Sequence, residues 1–171
     1  MGVLFKPSCR VYCSFVARLD YARIAPPGIK ALSATYGYVM QSSLGAVLIE
    51  IVFLRISQIN NRAYCLDMHT RDLLKRGQKV EKLALLQAWE EAGGLFDERE
   101  RAALAWAETV TRVARTGVPD DAYEAARKVF GEQDIVDLTI AIGLMNAYNR
   151  LAISFRSMPR VVLGHPAYRS A

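Results

Sequence analysis

The chain has 171 residues, 52% of them hydrophobic and 23% charged, the balance of one globular domain with a core of its own rather than of a disordered polymer. The formal charge is +5, but the lysines and arginines are scattered instead of gathered into a stripe with interleaved aromatics, so a nucleic-acid-binding face is not expected. The longest apolar run, Leu44 to Phe53, is interrupted by Glu50 and is shorter than the roughly 20 residues of a membrane-spanning helix, so no membrane partner is expected either.

Residues 1–10 lack the basic start, sustained apolar stretch and small-residue cleavage site of a secretory signal. Three cysteines, Cys9, Cys13 and Cys65, do not make the even set of a secreted disulfide scaffold, and a reducing cytoplasm is the expected setting. Residues 1–16 carry no helical or strand period and read as an N-terminal extension. The domain is expected over residues 17–159, with a loose tail over 160–171.

Pro26, Pro27 and Gly28 form a stop-and-start signal, after which Leu32, Tyr36, Val39 and Met40 predict a first helix over Ile29 to Gln41. Ser42 and Ser43 are candidate caps for a second helix from Leu44 to about Ile59. That helix is apolar nearly all round and therefore central, with Glu50 as an acid inside it. Asn60 and Asn61 break it, and the next helix runs from Ala63 or Tyr64 to Lys75, closed by Gly77. Val80, Leu83, Leu86 and Trp89 predict an amphipathic helix over Lys79 to Glu91. Asp97 and Glu100 then form a capping box for a helix reaching about Arg115. A shorter helix after Pro119 ends at Phe130 with Gly131 as its stop, and a long last helix runs from Glu132 to Phe155. No alternating apolar–polar run survives, so the fold class is all-α, a single bundle of about seven helices.

Chemistry gathers between Glu50 and His69. Cys65 and His69 are four residues apart, one above the other on a helical face, where a neutral imidazole can take the thiol proton. Cys65 also falls in the first turn of its helix, whose positive dipole end favours a thiolate. Against this stand plainer readings: Cys65 as a buried structural thiol, Glu50 as an acid paired with Arg55 or Arg150, Arg62 as a solvated residue at a helix start, and Tyr64 as a core ring. Asp67, Asn146, Tyr148 and Asn149 are further candidates for a pocket wall, although Asn and Asp on helices are more often bonded locally. Zinc needs three or four convergent ligands, and the spacing of Glu50, Cys65 and His69 is accounted for without a metal. No phosphate loop or nucleotide fingerprint occurs, so cofactor-free chemistry is expected.

The order of Glu50, eleven intervening residues, Arg62, and then Cys65-Leu66-Asp67-Met68-His69 closely resembles the AhpD-like alkylhydroperoxidase branch of the carboxymuconolactone decarboxylase family. The likeness continues through 85–89, 98–108 and 137–150 and covers roughly residues 19–159. The resemblance implies an all-helical trimer or hexamer whose peroxidases use a Cys-x-x-Cys pair with a glutamate and a histidine in a proton relay. By that resemblance Cys65 is the reactive second cysteine, His69 the relay histidine and Glu50 the relay acid. Arg62 stands where the first cysteine is expected, and Asn61 where close relatives often have glycine.

Without a thiol at position 62 a local disulfide cannot close, so the expected activity is a peroxiredoxin-type one. Cys65 attacks a hydroperoxide and becomes a sulfenic acid, and an external thiol reductant, or Cys9 or Cys13, regenerates it. Arg62 would act as an electrostatic or anion-binding element, with Tyr64 a wall of the site. Two alternatives belong to the same resemblance: a decarboxylase or lactone-processing enzyme in which Arg62 binds a small carboxylated substrate, and an inactive oligomeric binding module.

Overall fold

The computed structural model describes residues 17–159. The expected extension over 1–16, with Cys9 and Cys13, and the expected tail over 160–171 lie outside the described residues. Nine α-helices and no strand occur among the described residues: α1 Tyr21–Ile24, α2 Pro26–Met40, α3 Ala46–Ile59, α4 Ala63–Lys75, α5 Val80–Leu85, α6 Glu98–Thr111, α7 Val113–Thr116, α8 Asp120–Arg127 and α9 Glu132–Ser154. The all-α class is as expected. The two helices beyond the expected seven, α1 and α7, have four residues each.

Helix α3 is the axis of the fold because its sequence leaves it no polar face to give to water. Seven successive residues, Leu48 to Leu54, are buried, and α4, α6 and α9 all pack on it. Its residues feed two cores. Ile49, Val52, Phe53 and Ile56 pack with Val39, Trp106, Leu138, Ile142 and Met145 on one side. Ile51 and Leu54 pack with Leu73, Leu86, Trp89, Phe96 and Leu104 on the other. At about 1.5–3 kcal/mol for each fully buried aliphatic or aromatic side chain, this double burial fixes α3 and everything it carries. None of the helices among the described residues is long and apolar enough to cross a membrane.

Helix ends that frame the site follow one pattern. The amide of Asn61 donates to Gln58 O and that of Arg62 to Ser57 O (2.8 Å), the crossed pair of a Schellman motif, with Asn61 in the left-handed region at φ +52°. Asparagine is among the few side chains that visit this region readily, which explains how a site compatible with glycine carries Asn61. Helix α4 ends the same way at Gly77 (φ +83°), with the amides of Gly77 and Gln78 on Leu74 O and Leu73 O. Helix α9 does so at Arg156, with the amide of Ser157 on Ala152 O.

Several expected boundaries are corrected. Helix α2 begins at Pro26 rather than Ile29, because Pro26 and Pro27 occupy its first positions, where a missing N–H costs nothing. Ser42 and Ser43 do not cap α3: Ser42 Oγ donates to Val39 O, Ser43 Oγ donates to Asp134, and the helix starts after Gly45 at φ +82°. The stretch expected as one helix over Lys79 to Glu91 stops at Leu85 and continues as a 3-10 turn, Leu86–Ala88. Beyond that turn the guanidinium of Arg101 donates to the carbonyls of Trp89 and Glu90, and the amide of Ala92 also donates to Trp89 O. The helix expected to reach Arg115 breaks at Arg112, whose guanidinium turns back to Glu108. Gly131 is not a left-handed stop for α8; at φ −69° it is the N-cap of α9. The capping box at Asp97 and Glu100 is present as expected.

Candidate functional site

Glu50 lies mid-helix in α3 with its side chain 1% exposed, a placement that is costly for a carboxylate unless both oxygens find donors. They do. Oε2 lies 2.6 Å from His69 Nδ1 on α4, and Oε1 accepts from the hydroxyl of Tyr36 on α2 at 3.0 Å. Neither arginine expected as its structural partner is there: Arg55 pairs with Glu108, and Arg150 donates to Asn146. The Schellman turn at Asn61 is what folds α4 back along α3 and brings His69 to Glu50.

With Glu50 as a carboxylate, Nδ1 carries the imidazole proton and Nε2 of the neutral ring is a bare acceptor. Nε2 is buried and has no hydrogen-bond partner. Cys65, one turn earlier on α4, is also buried, and both residues line a cavity of about 330 Å³. Tyr21, Tyr36, Tyr64 and Tyr148 form much of its remaining wall. The imidazole with the orphaned nitrogen and the thiol therefore belong to the wall of one partly open cavity. A larger depression of about 460 Å³ runs along the outer face of α4 past Asp67, Arg71 and Lys75, but neither Cys65 nor His69 lines it.

Burial pushes the Cys65 thiol above its ordinary pKa, against the opposing pull of the Arg62 charge and of a hydrogen bond from Ser57. The first turn of α4 was expected to favour a thiolate, and burial works against that. The resting residue is a neutral thiol that needs a base.

Arg62 is not the solvated residue of the plainer reading, being 5% exposed. Its guanidinium donates to Ser157 O, lies 5.9 Å over the Tyr64 ring and leaves Nε without a partner, while desolvation lowers its pKa. Arg62 follows the Schellman turn of α3, and Ser157 follows that of α9, so one side chain ties the two helix ends together. It is not among the residues that line the cavity. Of the further candidates, Tyr148 lines the cavity, Asp67 pairs with Arg71, and the amides of Asn146 and Asn149 donate to carbonyls one turn back in α9.

Two residues at the site were not singled out from the sequence. Tyr36 looked like an ordinary member of an apolar stripe. Ser57, wholly buried, donates to Phe53 O and accepts from Asn149. It lies seven residues after Glu50, hence on the same face of α3, and that spacing was a usable signal. No group of three or more His, Cys, Asp or Glu suited to a metal ion occurs among the described residues.

Residues 26–109 match the model of the carboxymuconolactone decarboxylase family. The uncharacterized protein YdfG of Bacillus subtilis (strain 168) is 36% identical over 137 residues, which is 80% of this chain and 92% of that relative. A solved structure from Agrobacterium tumefaciens, a protein of unknown function with a suggested role as the antioxidant defence protein AhpD, is 40% identical with a TM-score of 0.80, covering 84% of this chain and 98% of that one. An uncharacterized peroxidase-related protein from Ralstonia eutropha JMP134, with an alkylhydroperoxidase AhpD core, shares the fold at 22% identity and a TM-score of 0.72, covering 81% of this chain and 74% of that one. With a helical core that carries Glu50, Cys65 and His69 into one place, and relatives of this extent, the chain belongs to the carboxymuconolactone decarboxylase family.

Proposed function

We propose that the protein is a thiol-dependent peroxidase that reduces hydroperoxides at Cys65. The observation that carries this reading is the buried, partnerless Nε2 of His69 in the same cavity as the Cys65 thiol, with Nδ1 anchored on Glu50. His69 takes the thiol proton, and the thiolate attacks the distal peroxide oxygen. The O–O bond breaks, the alkoxide leaves and is protonated to an alcohol, and Cys65 is left as a sulfenic acid.

Regeneration uses two equivalents of an external thiol. The first displaces water from the sulfenic acid to give a mixed disulfide, and the second releases the Cys65 thiol and a small-molecule disulfide. Arg62 supports the thiolate from outside the cavity through its charge. The decarboxylase alternative asks Arg62 to bind a substrate carboxylate, and its burial, its bond to Ser157 and its place outside the cavity wall weigh against that role.

The test is consumption of an organic hydroperoxide with excess dithiothreitol by the wild type and by Cys65→Ser. The expected outcome is turnover in the wild type and none in the variant; equal rates would sink the proposal.

A further inference from the structure

Reduction of an alkyl hydroperoxide needs a proton twice: one must leave the thiol, and one must reach the alkoxide as the O–O bond breaks. Nε2 of His69 receives the first. The donor of the second is not obvious from Cys65, His69 and Glu50, because Glu50 is sealed at 1% exposure and is not among the residues lining the cavity.

Glu50 nevertheless reaches the cavity through its second oxygen. Oε1 accepts the Tyr36 hydroxyl at 3.0 Å, and Tyr36 lines the same cavity as Cys65 and His69. A chain of two hydrogen bonds, Tyr36 to Glu50 and His69 to Glu50, thus has both of its end members in one cavity wall and its middle member in the core. Phe53 sits between the ends, with its ring 6.1 Å from that of Tyr36 and 5.4 Å from that of His69, and holds both rings in place. Tyr21, Tyr64 and Tyr148 also line the cavity, but none of them donates to a buried acid among the described residues.

We propose that Tyr36 is the general acid of the site, giving its hydroxyl proton to the alkoxide that leaves when Cys65 attacks a hydroperoxide and recovering one from the thiol through His69 and Glu50. The proposal rests on the peroxidase reading above. Every proton is accounted for: the Cys65 proton goes to Nε2 and the Nδ1 proton to Glu50 Oε2, the Tyr36 hydroxyl turns from Glu50 and gives its proton to the alkoxide, and the Glu50 carboxyl, neutral while it holds that one proton, turns to hand it to the Tyr36 oxygen. Sulfur is oxidised, the peroxide is reduced to an alcohol, and His69 is left in its other tautomer. Attack by the external thiol runs the chain backwards. The incoming thiol's proton enters at Tyr36 and Nδ1 regains its proton, while Nε2 protonates the departing hydroxide to water.

Burial, with the Glu50 charge and hydrogen bond added to it, pushes the Tyr36 phenol well above its ordinary pKa. Tyr36 therefore remains protonated at neutral pH and gives its proton only as another arrives, as a relay donor must.

The test is Tyr36→Phe in single-turnover oxidation of Cys65, followed by mass spectrometry of the sulfenic acid, with three reagents. Cumene hydroperoxide leaves as an alkoxide that needs a proton, peracetic acid leaves as a stable carboxylate, and iodoacetamide consumes the thiolate without an oxygen leaving group. The expected result is a loss of about 100-fold with cumene hydroperoxide, a much smaller loss with peracetic acid, and alkylation at the wild-type rate. The ratio of the two oxidation rates is read within one protein sample and does not depend on the fraction folded. An unchanged ratio overturns the proposal, and so does alkylation that falls in parallel, since Tyr36 would then only position Glu50 and His69. A wild type that forms no sulfenic acid with either oxidant overturns the peroxidase reading itself, and the role of Tyr36 with it.

Discussion

Helix α3 and its neighbours hold two inward-facing glutamates that look alike in the sequence and are treated in opposite ways. Glu108 on α6 accepts from Arg55 and from Trp89 Nε1 on one oxygen and from Arg112 on the other. Burial pushes its pKa up, but the hydrogen bonds from Trp89, Arg55 and Arg112 and the Arg55 charge outweigh that and hold it below the ordinary carboxylate range. None of those donors gives up its proton at neutral pH, so Glu108 is a fixed anion in a fixed frame. Glu50 is more deeply buried, yet its two partners are an imidazole and a phenol, each able to exchange a proton and each facing a cavity. The lesson is that partner chemistry, more than burial, separates a structural acid from one equipped to move protons.

The largest expected effect is at the nucleophile, where Cys65→Ser abolishes peroxide turnover while leaving the helical fold intact. Next comes the contrast between the two acids. Glu50→Gln lowers the rate of Cys65 oxidation by about 100-fold or more, the usual scale for losing acid–base catalysis, and Glu108→Gln leaves it unchanged. Glu108→Gln instead costs about 2 kcal/mol of stability in urea unfolding at pH 7, the range for losing hydrogen bonds to a charged group. Because its folded pKa is depressed, the stabilisation from Glu108 is fully present above the unfolded carboxylate pKa. It is lost as pH falls through the folded value, so the wild type and Glu108→Gln converge in strong acid. A wild type and variant that stay equally far apart at low pH would remove the distinction drawn between the two glutamates.

Smaller effects sharpen the same picture. The alkylation rate of Cys65 against pH should show a midpoint above that of an ordinary thiol, and Arg62→Met should move it higher still, because the Arg62 charge opposes the burial effect. A midpoint that falls in the variant would contradict this. At the turn that folds α4 onto α3, Asn61→Ala is expected to lose about 1 kcal/mol in urea unfolding and Asn61→Gly to lose nothing, since only the first adds strain at positive φ.

Features that depend on a few neighbouring residues were legible in the sequence. The capping box at Asp97 and Glu100, the stop at Gly77 and the unbroken apolar surface of α3 are local chemistry, and each appears where the sequence places it. The break after Leu85 was not legible, because no proline or glycine marks it and the residues beyond it are held from the next long helix, the carbonyls of Trp89 and Glu90 by Arg101 and the Trp89 indole by Glu108. Glu50, Cys65 and His69 could be named together from spacing and from the family resemblance. Tyr36 could not, since its stripe on α2 differs in no way from a core stripe until α2 is laid against Glu50. The burial of Arg62 was not legible for a similar reason: its partner, Ser157, lies 95 positions away at the end of α9.

The most direct test of the account follows Cys65 sulfenic acid by mass spectrometry in a single turnover with cumene hydroperoxide, for the wild type, Glu50→Gln and Glu108→Gln side by side. Rapid formation is expected in the wild type and Glu108→Gln, and a rate about 100-fold lower in Glu50→Gln. Equal rates in all three proteins, or no sulfenic acid in the wild type, would contradict it.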